Sequence, residues 1–421
     1  MAALFLFHRD LRIVDHNGLR FAKETYKDII PLFIFTPEQV SSENKLKSNN
    51  SVQFMIESLK ELESDIQKQG GKLYFAYGDT VKVLEDILKK TNIKAIVETA
   101  DYTPYAKERT KEISDLCQRE GIEYHGIHDS YLLEPGSIKT GTGRTFQKFT
   151  PFYRTALKRK IDLPHGAEMF SWKKIVSGKG QKTRKVKNFF WTTSLDEMEK
   201  RFVPEQNPNI AVGGGRKEGL ELIKHIPTGY ADTHDIPSIN TSLLSAHNHF
   251  GTVSIREVYE GGKGIPAFQR QLWWRDFYGH IMADFENLYG MGAYEFEKKE
   301  YEHPLTPKKK EWFEKWCKGE TGIRLVDAGM KQMLKTGWMH NRVRLVVSSW
   351  LTKDMKIHWR HGERFFAKHL VDYDATQNMM NWIWIASALP FASAPFRKVS
   401  AKGTAEKFDP DEKYVKEWLG E

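Results

Sequence analysis

The chain has 421 residues and a formal net charge of +9, with 28% of residues charged and 40% hydrophobic. That length suits two cores better than one, and no apolar run approaches the ~20 residues a membrane span needs. Cys117 and Cys317 stand far apart without metal-ligand spacing, which argues against a disulfide framework or a structural metal and fits a reducing, intracellular compartment. The positive balance suits a solvated lysine surface or a polyanionic partner such as nucleic acid.

Residues 1–130 alternate strand and helix patterns, which predicts a doubly wound parallel sheet. The strands are ALFLFHR, IIPLFIF, KLYFAYG, KAIVETA and IEYHGIHD; the opening MAALFLFHRDLR turns polar after Phe7 and reads as a strand, not a leader. Between them lie the amphipathic stretches SVQFMIESLKELESDIQKQG, TVKVLEDILKKTN and YAKERTKEISDLCQREG. The turn after the first strand is His8-Arg9-Asp10, so no glycine-rich dinucleotide fingerprint follows it. Residues 131–212 weaken in pattern and read as a connector, strongly basic at Lys158, Arg159, Lys160, Lys182, Arg184, Lys185 and Lys187. Residues 213–421 carry helical spacing almost throughout, in REVYEGG, AFQRQLWWRDFYGHIMADFENLYG, EWFEKWCKG, IRLVDAGMKQMLKTG, NRVRLVVSSWLTKDM, GERFFAKHL and EKYVKEWL. An all-helical second domain is expected there. Ten of the twelve tryptophans fall between Trp273 and Trp418, so the aromatic chemistry belongs to that part.

Several constellations stand out. Gln271, Trp274, Arg275 and Tyr278 share one helical face by their i, i+3, i+4, i+7 spacing. An amide, an indole and a guanidinium together suit stacking on a base and contact with phosphate, although such a stripe also serves packing. Trp338, Asn341 and Leu345 share another face, with Arg342 beside it and Arg344 pointing elsewhere. Asp372 and Asp374 lie in an apolar segment without histidine or glutamate at metal spacing; they fit carboxylates that accept from a bound cofactor. Asn378 and Trp382 are one turn apart just beyond them. The hydroxyls of Thr241-Ser242-Leu243-Leu244-Ser245 can cap a helix or cradle a phosphate, with Tyr230 placed to cover that cradle.

Taken in order, HRDLR, TSLLS, QLWWRDFY, TGWMHNRVRL, WRHGER, DYDATQNMMNWIW and EKFDPDEKYVKEWL make the chain resemble the photolyase/cryptochrome family, most nearly its class I cyclobutane pyrimidine dimer branch. The resemblance implies an α/β antenna domain, a connector and a helical domain holding FAD. It implies cofactor contacts at Tyr230, Thr241, Ser242, Leu243, Leu244, Ser245, Arg275, Trp338, Arg344, Asp372, Tyr373 and Asp374, with Asn378 beside flavin N5. Trp382 and Trp359 match the inner and middle members of an electron-transfer chain. Gln271, Trp274, Arg275, Tyr278, Asn341, Arg342, Trp384 and Thr404 match the DNA-facing set. Glu108 falls where folate-binding members carry a glutamate, so a folate or deazaflavin antenna is implied, and no metal. The implied reaction is light-driven repair of dimers in UV-damaged DNA by a monomer; a blue-light receptor that signals without repair is the alternative. The chain stops at Glu421 without the long tail common among signalling members, which leans toward repair.

Departures from the family pattern are specific. Gln271 replaces a glutamate, Leu345 a methionine, and His234 and Thr404 an arginine and a glutamine. Met379-Met380-Asn381 replaces a small Gly/Asn-rich stretch, which is expected to bring bulk and sulfur near the flavin. Thr306 stands at the outermost tryptophan position, with Trp312, Trp316 or Tyr301 as substitutes.

Overall fold

The computed structural model describes residues 1–175, 192–285, 305–388 and 398–421. Lys182, Arg184, Lys185, Lys187 and Tyr301 lie outside these. Five parallel strands form one sheet in the order β3-β2-β1-β4-β5: β1 (Ala2–Phe7), β2 (Asp28–Phe35), β3 (Tyr74–Tyr77), β4 (Ile93–Thr99) and β5 (Glu123–Ile127). All five expected strands are present. Strand β1 is buried on both faces, as a central parallel strand requires. Its alternation divides the domain: Ala3, Phe5 and Phe7 face one core and Ala2, Leu4 and Leu6 the other.

The helices of this domain are α1 (Asn17–Thr25), α2 (Pro37–Val40), α3 (Asn49–Lys68), α4 (Thr80–Lys90) and α5 (Pro104–Glu120). Ser48, Asp79 and Thr103 cap α3, α4 and α5 with their side chains. The spacing missed α1, which is only nine residues long. Two helices, α6 (Phe149–Ala156) and α7 (Leu195–Phe202), punctuate the stretch read as a connector.

Beyond it the described elements are helical: α8 (Arg216–Lys224), α9 (Tyr230–Thr233), α10 (Ser245–Phe250), α11 (Ile255–Gly261), α12 (Pro266–Asp284), α13 (Pro307–Lys318), α14 (Arg324–Thr336), α15 (Asn341–Ser349), α16 (Trp359–His369), α17 (Ala375–Ala386), α18 (Ala401–Phe408) and α19 (Lys413–Leu419). The run NRVRLVVSSWLTKDM is not one regular helix. After Ser349 it widens into a π turn over Trp350–Asp354. The Ser348 and Thr352 hydroxyls donate to the carbonyls of Arg344 and Ser348, at 2.6 and 2.7 Å, back-bonds that loosen a helical ladder. Helix α15 begins at Asn341, where the run NRVRLVVSSWLTKDM begins, with His340 as its N-cap, so Trp338, expected on one helical face with Asn341, lies ahead of the helix.

The two domains share a core. Ala246, Phe250, Trp338 and Val371 of the helical part pack in the same cluster as the α1 and α3 face of the sheet.

A cavity with an inner wall and an aromatic rim

A cavity of about 420 Å³ opens in the helical domain between α9, α10, α12, α15 and α17, a size usual for ligand sites. Its inner wall carries charge that is already neutralised. Arg344 gives Nη2 to both oxygens of Asp372, at 3.0 and 2.8 Å, and Nε to the Met339 carbonyl. Ser245 donates its hydroxyl to Asp372 at 2.6 Å. Asp374 caps α17 by accepting from the Gln377 amide at 3.0 Å and also takes Arg9 Nη1 at 3.2 Å. Burial pushes the Asp374 carboxyl up, but the His249 ring and the Arg9 guanidinium hold it far below the usual carboxylate range.

Thr241, Ser242, Leu243, Leu244 and Ser245 all line this wall. Leu243 has φ +52°, a left-handed conformation rare for a branched residue. None of these five backbone amides donates within the chain among the described residues. No side chain caps α10, so the hydroxyls do not act as N-caps. Tyr230, Arg275, Trp338 and Asn378 reach the same space. Arg275 spends its guanidinium on the Ser130 and Asn248 carbonyls, at 2.6 and 3.2 Å, above the Tyr131 ring. Asn378 donates Nδ2 to Glu363, to its carbonyl at 3.3 Å and its Oε1 at 3.2 Å. That leaves the Asn378 amide oxygen for the cavity.

The rim is aromatic and amide-bearing. Gln271, Trp274, Arg275 and Tyr278 all line the cavity from α12, as their spacing required. Trp274 lies flat on Phe149, ring centres 3.8 Å apart and 6° from parallel. Asn341, Leu345 and Trp384 complete the rim. Gln271 reaches back to the Ala267 carbonyl at 3.4 Å.

Other expected residues stand apart from the lining. Arg342 donates Nε to Asp235 at 3.0 Å and lies over the Phe408 ring. Tyr373 turns its hydroxyl to Glu363 at 3.3 Å. Thr404 is buried, so its side chain does not stand at the surface where a DNA contact was expected. Trp382, by contrast, does line the cavity, and it meets Phe366 and Trp316 edge-on, at 5.1 and 6.3 Å. Trp359 is buried at the start of α16 under the Arg360 guanidinium. Glu108 is exposed on α5.

Met379 and Met380 require a correction. Gln377, Asn378, Asn381, Trp382 and Ile385 face the cavity, whereas the two methionines are buried and absent from its lining. Met379 sulfur instead meets Arg360 Nη1 at 3.7 Å. The 3.6-residue period turns them to the opposite side of α17.

Sequence reasoning also missed contributors. Asn248 lines the cavity with its Oδ1 buried and without a partner, a group that wants a donor from a ligand. Glu363, buried beneath Asn378, is pushed up by that burial. A lone glutamate in WRHGER gave no such signal. Free amides, an orphaned acceptor and pre-paired carboxylates suit a phosphate-bearing cofactor with a polar planar ring.

Among known proteins, residues 3–168 match the family model described as DNA photolyase, and residues 268–421 match the FAD binding domain of DNA photolyase. A deoxyribodipyrimidine photo-lyase of Streptomyces griseus is 30% identical over 100% of this chain and 89% of its own. One from Agrobacterium fabrum is 31% identical over 99% of this chain and 86% of its own. Among solved structures, an archaeal photolyase from Sulfolobus tokodaii with two FAD molecules superposes with a TM-score of 0.86 at 34% identity, covering 100% of this chain and 90% of that one. A cryptochrome of Synechocystis at 24% identity and TM-score 0.85, covering 100% of this chain and 89% of that one, shares the fold.

Proposed function

The chain belongs to the DNA photolyase family, and from that premise we propose that it repairs cyclobutane pyrimidine dimers in DNA, using light absorbed by reduced FAD. The observation that carries this reading is one cavity with two kinds of wall: paired charges and free amides inside, indoles and amides at the rim. The chemistry FAD supplies when bound is a light-excited electron, lent to the dimer and returned once its ring has opened.

The chain's own residues do the rest. Arg344, Ser245 and Asp372 form a rigid inner floor. The amides from Thr241 to Ser245 are placed to take a phosphate, and Tyr230 and Trp338 close over the cofactor. Asn378, anchored by Glu363, presents its amide oxygen to the ring. At the rim, Trp274 is held flat by Phe149 and can receive one face of an extruded lesion. Trp384 supplies a second indole, while Gln271 and Asn341 offer amides to the base edges. Arg342 and the net charge of +9 draw the DNA backbone. Trp382 brings an oxidisable indole to the cavity wall, and Trp359 is a second buried indole at the start of α16. The indoles and amides of the rim leave water little purchase once a lesion is seated.

An antenna chromophore in the α/β domain is the further part of this reading. Exposed Glu108 adjoins Arg109, whose Nε and Nη2 are buried without partners, and the Sulfolobus tokodaii photolyase holds two FAD molecules, with the implication of a light-harvesting cofactor.

The test is illumination of a dimer-containing oligonucleotide with the reduced protein. Thymine absorbance recovers in light and stays low in the dark; equal traces in light and dark would refute repair.

A further inference from the structure

The turn after β1 does more than end a strand. In the sheet, β1 lies between β2 and β4, so the crevice at their carboxyl ends is the topological switch point where such sheets usually take ligands. Here it is filled by the protein itself. Arg9 extends from that turn, pairs with Asp101 after β4 at 3.1 Å, and reaches Asp374 at the cavity wall at 3.2 Å. The same Arg9 Nη1 lies 3.2 Å from His249 Nδ1.

Three contacts fix that reach. Leu11 donates its amide to the Phe250 carbonyl at 3.0 Å, and Arg12 Nη1 donates to the Gly251 carbonyl at 3.1 Å. Gly251 itself has φ +61°, and a Cβ there would lie 2.4 Å from the Arg9 carbonyl oxygen. Only glycine lets the end of α10 press this closely on the turn.

The consequence falls on His249, which lines the cavity. Burial, the largest influence, pulls its pKa down against the raising effect of Asp374, which favours the neutral ring with one proton. An arginine N–H only donates. Nδ1 has two neighbours: Arg9 Nη1 at 3.2 Å, which can only donate, and Asp374 Oδ2 at 3.3 Å, which can only accept. A proton on Nδ1 would serve Asp374 but face Arg9's own hydrogen. With Arg9 Nη1 already donating to that carboxylate, the acceptor role of Nδ1 leaves the proton on Nε2. Nε2 has no partner among the described residues.

We propose that Arg9, from the α/β domain, sets the His249 tautomer so that its Nε2–H donates to an acceptor atom of the FAD held in the cavity. Arg9 is then a positioning residue, and the α/β domain takes part in holding the cofactor of its neighbour. This rests on the FAD reading above and adds to it a named donor and the element that aims it. Removing Arg9 reverses the logic: Nδ1–H becomes free to donate to Asp374, 3.3 Å away, and a lone pair then faces the cavity.

The test uses the full-length protein, with imidazole nitrogen NMR and FAD titration. Wild type should show His249 protonated at Nε2, and Arg9→Gln should show it protonated at Nδ1. His249→Phe and Arg9→Gln should each raise the FAD Kd about threefold to tenfold, the worth of one hydrogen bond. The double variant should be no worse than either single one, and His249→Gln, which keeps a donor, should recover most of the affinity. A wild-type ring protonated at Nδ1, unchanged Kd values, or single effects that multiply would overturn the proposal. A wild-type protein that takes up no FAD would fail the cofactor reading instead, while the NMR tautomer still decides the part assigned to Arg9. Should His249→Phe not fold, the wild-type and Arg9→Gln spectra decide alone.

Discussion

Arg342 shows how a single side chain is prepared for a phosphate. Asp235 holds its Nε and Nη2 edge and Phe408 supports its face, which leaves Nη1 for a phosphate. Arg342→Ala should weaken damaged and undamaged duplex to a similar extent, and the slope of log K against log salt should shrink by about 1; a titration over salt concentration measures both. Gln271 belongs to the same scale. Glutamate there would make a charge-assisted hydrogen bond, stronger than the neutral one, so Gln271→Glu should speed repair about threefold; an unchanged or slower rate counts against a lesion contact at this position. Trp274 was legible because an indole beside an amide and a guanidinium at helical spacing makes poor core, whereas Asn341 and Trp384 were legible through the family resemblance. His249 was not, since its meaning depends on a tautomer set by Arg9, 240 positions away in the chain.

At the scale of elements, α17 carries the site on one face and packing on the other. Asn378, Asn381, Trp382 and Ile385 look into the cavity, and Met379 and Met380 into the core. Met379→Leu and Met380→Leu should each cost less than about 1.5 kcal/mol, as volume-conserving swaps do, and leave the absorbance of bound flavin in place. A shifted spectrum would restore the methionines to the cofactor's neighbourhood. Helix α16 meets α17 through Gly362, where a Cβ would stand 2.1 Å from Trp382 Cη2 and 2.8 Å from Leu351 Cδ2. Gly362→Ala should therefore destabilise the protein by about 1–3 kcal/mol, seen as a lower Tm. The strands and long helices were legible because their periods are unambiguous over many residues. The π turn at Trp350 and the short α1 were not, because hydroxyl back-bonds and nine-residue helices leave little periodic trace.

At the scale of the molecule, buried ionisable groups join the two domains. His16 and Thr99 bond Asp10, and Arg12 and Arg256 both pair with Asp129. Burial raises the Glu98 carboxyl, yet the His8 bond and charge more than offset it and bring it down to about 2. Asp101 and Asp129 are lowered against the same burial. Groups held below their unfolded values stabilise above those values and lose that contribution as pH falls. Buried His247 and His280, each pulled down by burial from 6.5 to about 4, act in the same direction. Thermal melts should therefore show Tm falling below about pH 6.5 as unfolded histidines gain protons, and falling faster below about pH 4.5 as carboxylates do. A flat Tm across that range would contradict the assignment of these groups as buried and paired.

The two-domain architecture was readable from alternating patterns followed by helical ones. The contact of the first turn with the cofactor's cavity was not, because it depends on how the domains meet. The central claim is that one cavity serves both cofactor and lesion. Its most direct measurement is repair of a dimer-containing oligonucleotide under light by FAD-loaded wild type, Trp274→Ala and Asn341→Ala, with flavin content measured in each. The account predicts full flavin content in all three and light-dependent repair that falls at least tenfold in both variants, the loss of about 1.4 kcal/mol or more from stacking or base-edge contact. Variants that keep their flavin and repair at the wild-type rate would contradict it.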